Sequence, residues 1–307
     1  MVKIRIGTRK SNLALIQTDI VINKIKEHFP ECECIIVPII TTGDKITDRN
    51  LYDIGGKALF LKEIEEQLLN NEIDIAVHSL KDVPGNLPVG LEIAAVLERE
   101  DARDCFVSFK YKSIAEMPIG SVIGSSSVRR KVIINNFRPD IEIVQFRGNI
   151  NTRLKKLYDN EVDATILACA GLNRSNLFDL VYCSPINYLD MLPAAGQGII
   201  GIETRSDNEL GCLVCKAINH KKTWQAAKIE RDFLSYLDAS CRTPMSAYAR
   251  IEDEMMRVSF MLSNISGSQM EYLECSHLLN DIEQLGVLSA RKLKQLFPNY
   301  EKDVLGL

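Results

Sequence analysis

The chain has 307 residues, with 37 Lys and Arg against 41 Asp and Glu, a formal charge of −4. Its 46% apolar and 25% charged residues are those of a globular protein, which excludes a disordered chain, a coiled coil and a collagen-like repeat. The length predicts about two domains, and the acidic balance excludes a polyanion binder that works through overall charge, so any anion site has to be local.

No run approaches the roughly 18 apolar residues of a membrane helix. The first residues, Met1-Val2-Lys3-Ile4-Arg5, enter a strand-like alternation without an apolar signal core, and the nine cysteines are an odd number with no disulfide-like spacing. The expectation is reduced thiols and a cytoplasmic location.

In chain order, Lys3–Gly7 reads as a strand. Ser11 caps a helix over Asn12–His28 that Pro30 stops, and Glu33–Ile40 reads as a second strand. A polar loop through Gly55-Gly56-Lys57 precedes a helix over Ala58–Asn70, with Leu61, Ile64, Leu68 and Leu69 as its apolar positions. Ile73–Val77 is a buried-type strand that stops at His78-Ser79-Leu80-Lys81-Asp82. The plan then recurs: strand Ser121–Gly124, turn Ser125-Ser126-Ser127, helix Val128–Asn136, strand Ile141–Val144, helix Ile150–Asp159 and strand Asp163–Leu167. Strands separated by helices predict parallel sheets. Beyond Asn219 the texture changes to a helix over Thr223–Leu237 carrying the only Trp, Trp224, then a loop Ala239–Pro244. Alternating segments at Ala247–Ile251 and Val258–Leu262 and a helix over Leu285–Leu296 complete a small α+β domain.

Open parallel sheets bind ligands beyond the carboxyl ends of their strands. Arg9 and Ser11 follow the first predicted strand, Lys81 and Asp82 follow Ile73–Val77, and in the second unit Ser125–Ser127 lead into Arg129-Arg130 while Arg147 follows the next strand. Six of the 17 arginines lie between Arg129 and Arg174, namely Arg129, Arg130, Arg138, Arg147, Arg153 and Arg174. Their planar forks suit carboxylate or phosphate, and a helix N-terminus after the serines favours an anion too. Nucleic acid is disfavoured by the acidic net charge. Asp82 reads either as a general acid/base or cation stabiliser, or as a turn carboxylate. Cys241, beside Arg242, reads either as a nucleophile or attachment point, or as a structural thiol. Gly196-Gln197-Gly198-Ile199-Ile200-Gly201 fits the dinucleotide pattern, but no strand precedes it and no helix follows. Cys212-Leu213-Val214-Cys215 is a single pair with His220 nearby, so no metal site is assigned. His28, His78, His220 and His277 form no cluster and read as structural or surface residues.

Several long motifs, in this order, resemble the porphobilinogen deaminase (hydroxymethylbilane synthase) family from Ile4 to about Arg250. They are Ile6-Gly7-Thr8-Arg9-Lys10-Ser11-Asn12-Leu13-Ala14-Leu15, Gly55-Gly56-Lys57-Ala58-Leu59-Phe60 and His78-Ser79-Leu80-Lys81-Asp82-Val83-Pro84. Then come Gly124-Ser125-Ser126-Ser127-Val128-Arg129-Arg130, Phe146-Arg147-Gly148-Asn149-Ile150-Asn151-Thr152-Arg153, Leu192-Pro193-Ala194-Ala195-Gly196-Gln197-Gly198 and the Cys241 loop.

The resemblance implies two periplasmic-binding-protein-like α/β domains with a double crossover, at 1–97 with 198–216 and at 98–197, plus a C-terminal α+β domain at 217–307. It implies head-to-tail condensation of four porphobilinogen molecules, with loss of ammonia, on a dipyrromethane cofactor held by a thioether to Cys241. It makes Asp82 the catalytic carboxylate that stabilises the azafulvene cation left by ammonia. It places Arg9, Ser11, Lys57, Phe60, Lys81, Ser125, Ser126, Ser127, Arg129, Arg130, Arg147, Arg153, Arg174 and Gln197 around cofactor and substrate. A monomer is implied, with no metal, nucleic acid or membrane partner. Two departures stand out: Ala239-Ser240 where the family commonly has Gly-Gly, and Asp53 where many members have Lys. The rival reading is a non-catalytic anion-binding α/β module, which needs the arginines but has no use for Asp82 or Cys241.

Overall fold

The computed structural model describes residues 2–45, 61–240 and 242–306. Strand β1 (Lys3–Arg9) buries Ile4 and Ile6. It is followed by α1 (Asn12–His28), whose first turn is capped by the Ser11 hydroxyl accepting the Ala14 N–H at 3.4 Å. Next come β2 (Glu33–Ile39), the single turn α2 (Thr42–Lys45), α3 (Lys62–Leu69), β3 (Ile75–Ser79) and β4 (Leu91–Val96). Of the helix expected over Ala58–Asn70, Ala58, Leu59 and Phe60 lie outside the described residues.

The chain then enters a second sheet through β5 (Asp104–Val107), β6 (Val122–Gly124), α4 (Val128–Phe137), β7 (Glu142–Val144), α5 (Ile150–Tyr158), β8 (Ala164–Ala168), α6 (Cys169–Arg174) and β9 (Cys183–Pro185). It returns to the first sheet in β10 (Ile200–Arg205) and α7 (Glu209–Ile218). It ends with α8 (Lys221–Tyr236), the strands β11 (Met245–Glu252), β12 (Met255–Ser263) and β13 (Met270–Leu278), and α9 (Leu285–Lys294).

The first sheet has the order β2-β1-β3-β10-β4 and the second β7-β6-β8-β5-β9, which is one plan used twice. In each, a central strand pairs in parallel with the two that follow it in sequence. The fourth place is filled by a strand arriving from the other unit, antiparallel to both neighbours: β10 between β3 and β4, and β5 between β8 and β9. The sheets are therefore mixed rather than wholly parallel. A strand entering straight from the neighbouring unit has no helix to return it along the sheet, so it comes in from the opposite end. The two sheets thus share one mixed topology and are joined by two crossovers, and β11-β12-β13 forms a separate antiparallel meander.

Alternate residues of β3 feed opposite faces of the first sheet. Ile75 and Val77 pack with Val21, Ile25 and Val214 of α1 and α7. Ala76 faces Ile64 and Leu68 of α3. Further along that side, Leu80, Val83, Ile93 and Ile199 pack with Ala227 and Trp224, so α8 lies against the segment that carries Asp82. At Gly85 a Cβ would fall 2.6 Å from the Ser235 nitrogen of α8, and only glycine permits so close a pass. The meander closes its own core, with Phe233 stacked on Phe260 at 4.4 Å between ring centroids.

One buried carboxylate ties the two crossovers to the meander. Arg99 donates to both oxygens of Glu230, at 2.8 and 2.6 Å, and the same carboxylate accepts the Gly196 and Ala249 N–H groups, each at 2.7 Å. A buried ion pair offsets its desolvation only when such extra bonds complete it.

Candidate active site

The strand ends carry the site. β1 ends at Arg9, β3 runs into a tight 3₁₀ turn at Leu80–Asp82, and β6 delivers Ser125–Ser127 to the start of α4. β7 leads through Arg147 to α5, and β8 into α6, which ends at Arg174. The ends of the two sheets meet across a cleft, because the Arg153 guanidinium feels Arg130 and Arg147 of its own unit and Asp82 of the other.

Cations crowd this cleft. Burial lowers the Lys81 ammonium to about 8; Asp82 resists that shift, whereas Arg130 and Arg129 add to it. Burial, together with Arg130 and Arg147, brings Arg153 down to about 10 against the pull of Asp82, and its Nε donates to the Gly148 carbonyl at 2.9 Å. Burial also lowers Arg174, whose Nη2 donates to the Gly198 carbonyl at 2.7 Å. Depressed basic groups are what a site short of anions produces, and an incoming carboxylate restores them.

Arg129 and Arg130 sit at the base, 5% and 7% exposed. Arg130 donates Nη2 and Nε to Asp104 Oδ1 at 2.6 and 3.2 Å, and Nη1 to the Ile166 carbonyl at 2.7 Å. Arg129 Nη2 lies 2.7 Å from Asp104 Oδ2, and its Nη1 donates to the Leu192 carbonyl at 2.7 Å. Burial alone would raise the Asp104 carboxyl, but the two arginines hold it well below the usual carboxylate range. Gln197 donates to Asp104 Oδ1 at 3.0 Å and to the Ala102 carbonyl at 2.7 Å, leaving its Oε1 buried without a partner. Both arginine forks are thus held by Asp104 and the main chain, and it is their charge that reaches Lys81.

The serines are already used locally as acceptors. Ser125 Oγ accepts the Ser127 N–H, Ser126 Oγ the Phe146 N–H, and Ser127 Oγ caps α4 by accepting the Arg130 N–H. Each hydroxyl keeps its own hydrogen to donate to a ligand oxygen.

Lys57, Phe60 and Cys241 lie outside the described residues, as does Asp53. Beside Cys241, Ser240 Oγ accepts the Arg242 N–H at 3.3 Å and Thr243 Oγ1 accepts the Ser240 N–H at 3.1 Å, while Ala239 is buried in the core of the meander. The Ala-Ser departure therefore supplies a core methyl and a turn acceptor. Arg138 does not join the cleft: it binds Asp140 and the carbonyls of Ile114 and Met117. Asp104 is the residue that sequence reasoning missed. Its only trace is a charge at the head of the apolar run Cys105-Phe106-Val107.

Asp104→Ala leaves two buried guanidinium groups uncompensated, an expected cost of about 3–5 kcal/mol. Urea denaturation checks it, and a loss under about 1 kcal/mol would mean that the arginines find other partners or water.

Residues 4–211 match the family model "Porphobilinogen deaminase, dipyromethane cofactor binding domain", and residues 224–295 match "Porphobilinogen deaminase, C-terminal domain". The chain belongs to the porphobilinogen deaminase family. It is 56% identical over 270 residues to the porphobilinogen deaminase of Rickettsia bellii (strain OSU 85-389), covering 88% of this chain and 90% of that one. To the porphobilinogen deaminase of Rickettsia canadensis (strain McKiel) it is 53% identical over 289 residues, covering 94% and 96%. Among solved structures, a Salmonella typhimurium periplasmic binding protein of high arginine specificity aligns at a TM-score of 0.42 and 14% identity, over 71% of this chain and 92% of that one. The first porphobilinogen deaminase match spans both five-stranded sheets and the cleft between them, and the second begins within α8 and takes in the meander.

Proposed function

We propose that this transferase is a hydroxymethylbilane synthase. It condenses four porphobilinogen molecules head to tail on a covalent dipyrromethane cofactor, releasing ammonia and the linear tetrapyrrole hydroxymethylbilane. The observation that carries the reading is one carboxylate, Asp82, set among cations whose basicity burial and mutual repulsion depress. Each pyrrole bears an acetate and a propionate, so the growing chain supplies the anions such a cleft lacks.

The cofactor fits these residues. Depressed Lys81 and Arg153, the free hydroxyl hydrogens of Ser125–Ser127 and the unpartnered Gln197 Oε1 together suit a ligand with several carboxylates and a pyrrole N–H. Arg9, Ser11, Lys57, Lys81, Ser125–Ser127, Arg147, Arg153 and Arg174 would hold it and the growing chain, while Arg129 and Arg130, their forks held by Asp104 and the main chain, would add their charge at the base. Phe60 would pack on the rings, Gln197 would line the cleft, and Cys241 would carry the thioether. When bound, the group supplies a tethered, nucleophilic pyrrole terminus. Asp82 accepts pyrrole N–H bonds and stabilises the positive charge that develops on porphobilinogen as ammonia leaves; a preorganised carboxylate is worth most in a water-poor cleft.

The domains we assign are 1–97 with 198–216, 98–197, and 217–307. A cytoplasmic monomer without metal, nucleic acid or membrane partners accompanies the reading; no helix among the described residues is long and apolar enough to cross a membrane. The test is the intact mass of the purified protein together with porphobilinogen consumption and ammonia release. A bare polypeptide mass after folding with substrate present, and no consumption, overturns the assignment.

Lys81 gives a pH signature. In the cofactor-free cleft its charge is lost as pH rises through about 8, so the rate at which cofactor-free protein takes up porphobilinogen to form holoprotein should fall above that pH. Lys81→Met should slow this assembly at neutral pH and abolish the fall; a wild-type assembly rate that is flat from pH 7 to 9 would remove Lys81 from carboxylate binding.

A further inference from the structure

A second group of buried charges lies behind the Asp82 turn, on the α3 side of the first sheet, and the proposed mechanism does not use it. His78 of β3 and Glu203 of β10 are joined Nε2 to Oε2 at 2.9 Å, with side chains 5% and 0% exposed. Gly201 stands opposite His78 in the ladder, and Glu203 stands opposite Ala76. Glu203 Oε1 is buried and unpartnered, and so are Glu65 Oε1 on α3 and Arg231 Nη1 on α8. These three atoms come from three separate elements. Glu65 feels both Glu203 and His78, and Arg231 feels Glu203. The other end of Arg231 grips the chain just past Asp82, where Nη2 donates to the Pro84 and Gly85 carbonyls at 3.1 and 3.4 Å.

Two carboxylates facing each other in an apolar surround do not both stay ionised, and a proton on one of them relieves the repulsion. We propose that His78, Glu203 and Arg231, with Glu65 set against them, form a buried positioning network that fixes the Leu80–Asp82 turn and so aims Asp82. His78 locks the strand that enters the turn, and Arg231 holds the segment that leaves it. Rows of charge elsewhere do not substitute for it. On α3, Glu63 is engaged with Thr42 and Glu66 with Lys62, and beside Arg231, Asp232 pairs with Lys228.

Burial, reinforced by Glu203 and opposed by His78, raises the Glu65 carboxyl from 4.5 to about 7. A raised carboxyl binds more protons folded than unfolded, so its contribution is complete below 4.5 and is lost as pH rises from there to about 7.

The inference rests on the proposed enzymatic reading, so it is tested on holoenzyme with two readouts, of which one needs no turnover. Thermal midpoints of wild type and Glu65→Gln are compared from pH 5 to 8.5. Glu65→Gln, which mimics the protonated acid, should gain on wild type as pH rises from 5 to about 7 and keep that gain above it, and at pH 6 its kcat should stay within about twofold of wild type. His78→Leu should lower kcat by about tenfold with KM within about twofold, because it misplaces Asp82 without touching substrate, and His78→Gln, which keeps a donor for Glu203, should recover most of that loss. If Glu65→Gln follows the wild-type stability profile at every pH, or if His78→Gln and His78→Leu are equally active or equally impaired, the network does not position Asp82. If wild type itself turns over no porphobilinogen, the proposed function fails, while the midpoint comparison still decides whether Glu65 carries the proton.

Discussion

Asp82→Asn is expected to fold, to load its cofactor and to turn over about 10²–10³-fold more slowly than wild type, with KM little changed. The substitution keeps the shape and length of the side chain, removes its charge and turns one of its two acceptor oxygens into an N–H donor. Asp82 sits in the turn between Leu80 and Val83, both buried against α8, so the main chain has little reason to move. Among the neighbours of Lys81 and Arg153 in the cleft, Asp104 is already taken by Arg129 and Arg130. Asp82 is therefore the carboxylate left to face a cation formed in the reaction. Rapid-quench turnover, with the intact mass confirming the cofactor, separates a chemical defect from failed assembly. A kcat within about threefold of wild type would end the catalytic assignment, because binding roles appear mainly in KM.

Cys241→Ser should lose the cofactor entirely. A thioether needs a sulfur nucleophile, and the serine hydroxyl stays protonated at neutral pH and reacts far less readily. The purified variant should show the bare polypeptide mass, no pyrrole stain and no product. Its thermal midpoint should also fall, since a group bound only by the folded state stabilises that state. Full activity in the variant would move the attachment site to another residue.

The sequence carried the elements whose signals are local. Ser11 and Pro30 bracket α1 at its observed ends, and Ser127 and Asn149 cap the predicted starts of α4 and α5. The strand-end rule placed Arg9, Lys81, Asp82, Ser125–Ser127 and Arg147 where the structure has them, because the side-chain order after a strand survives any folding of the rest. Direction was not legible. Nothing in the residues of β5 or β10 tells which way either strand runs, and their antiparallel sense comes from where the chain has been. β13 escaped notice because Tyr272 and Leu278 put apolar residues on its exposed face and blur the alternation. Pairing was not legible either. His78 reads as a bland structural histidine until Glu203, 125 positions later, closes on it. Asp104 looks like one more loop charge until the two arginines converge on it.

The exchange of strands between the two sheets bears on how the chain is made. β3 and β4 are not paired with each other; β10 lies between them, from Thr204 opposite Ile75 to Gly201 opposite Val96. During synthesis the first unit emerges from the ribosome with a gap in its sheet, and none of the described residues among its first hundred closes it. Pairings so distant in sequence are slow to form and leave apolar edges open meanwhile. The whole second unit must be built before the first can finish, so nascent chains arrested before Ile200 should remain protease-sensitive around β3 and β4, and chains arrested well past Arg205 should not.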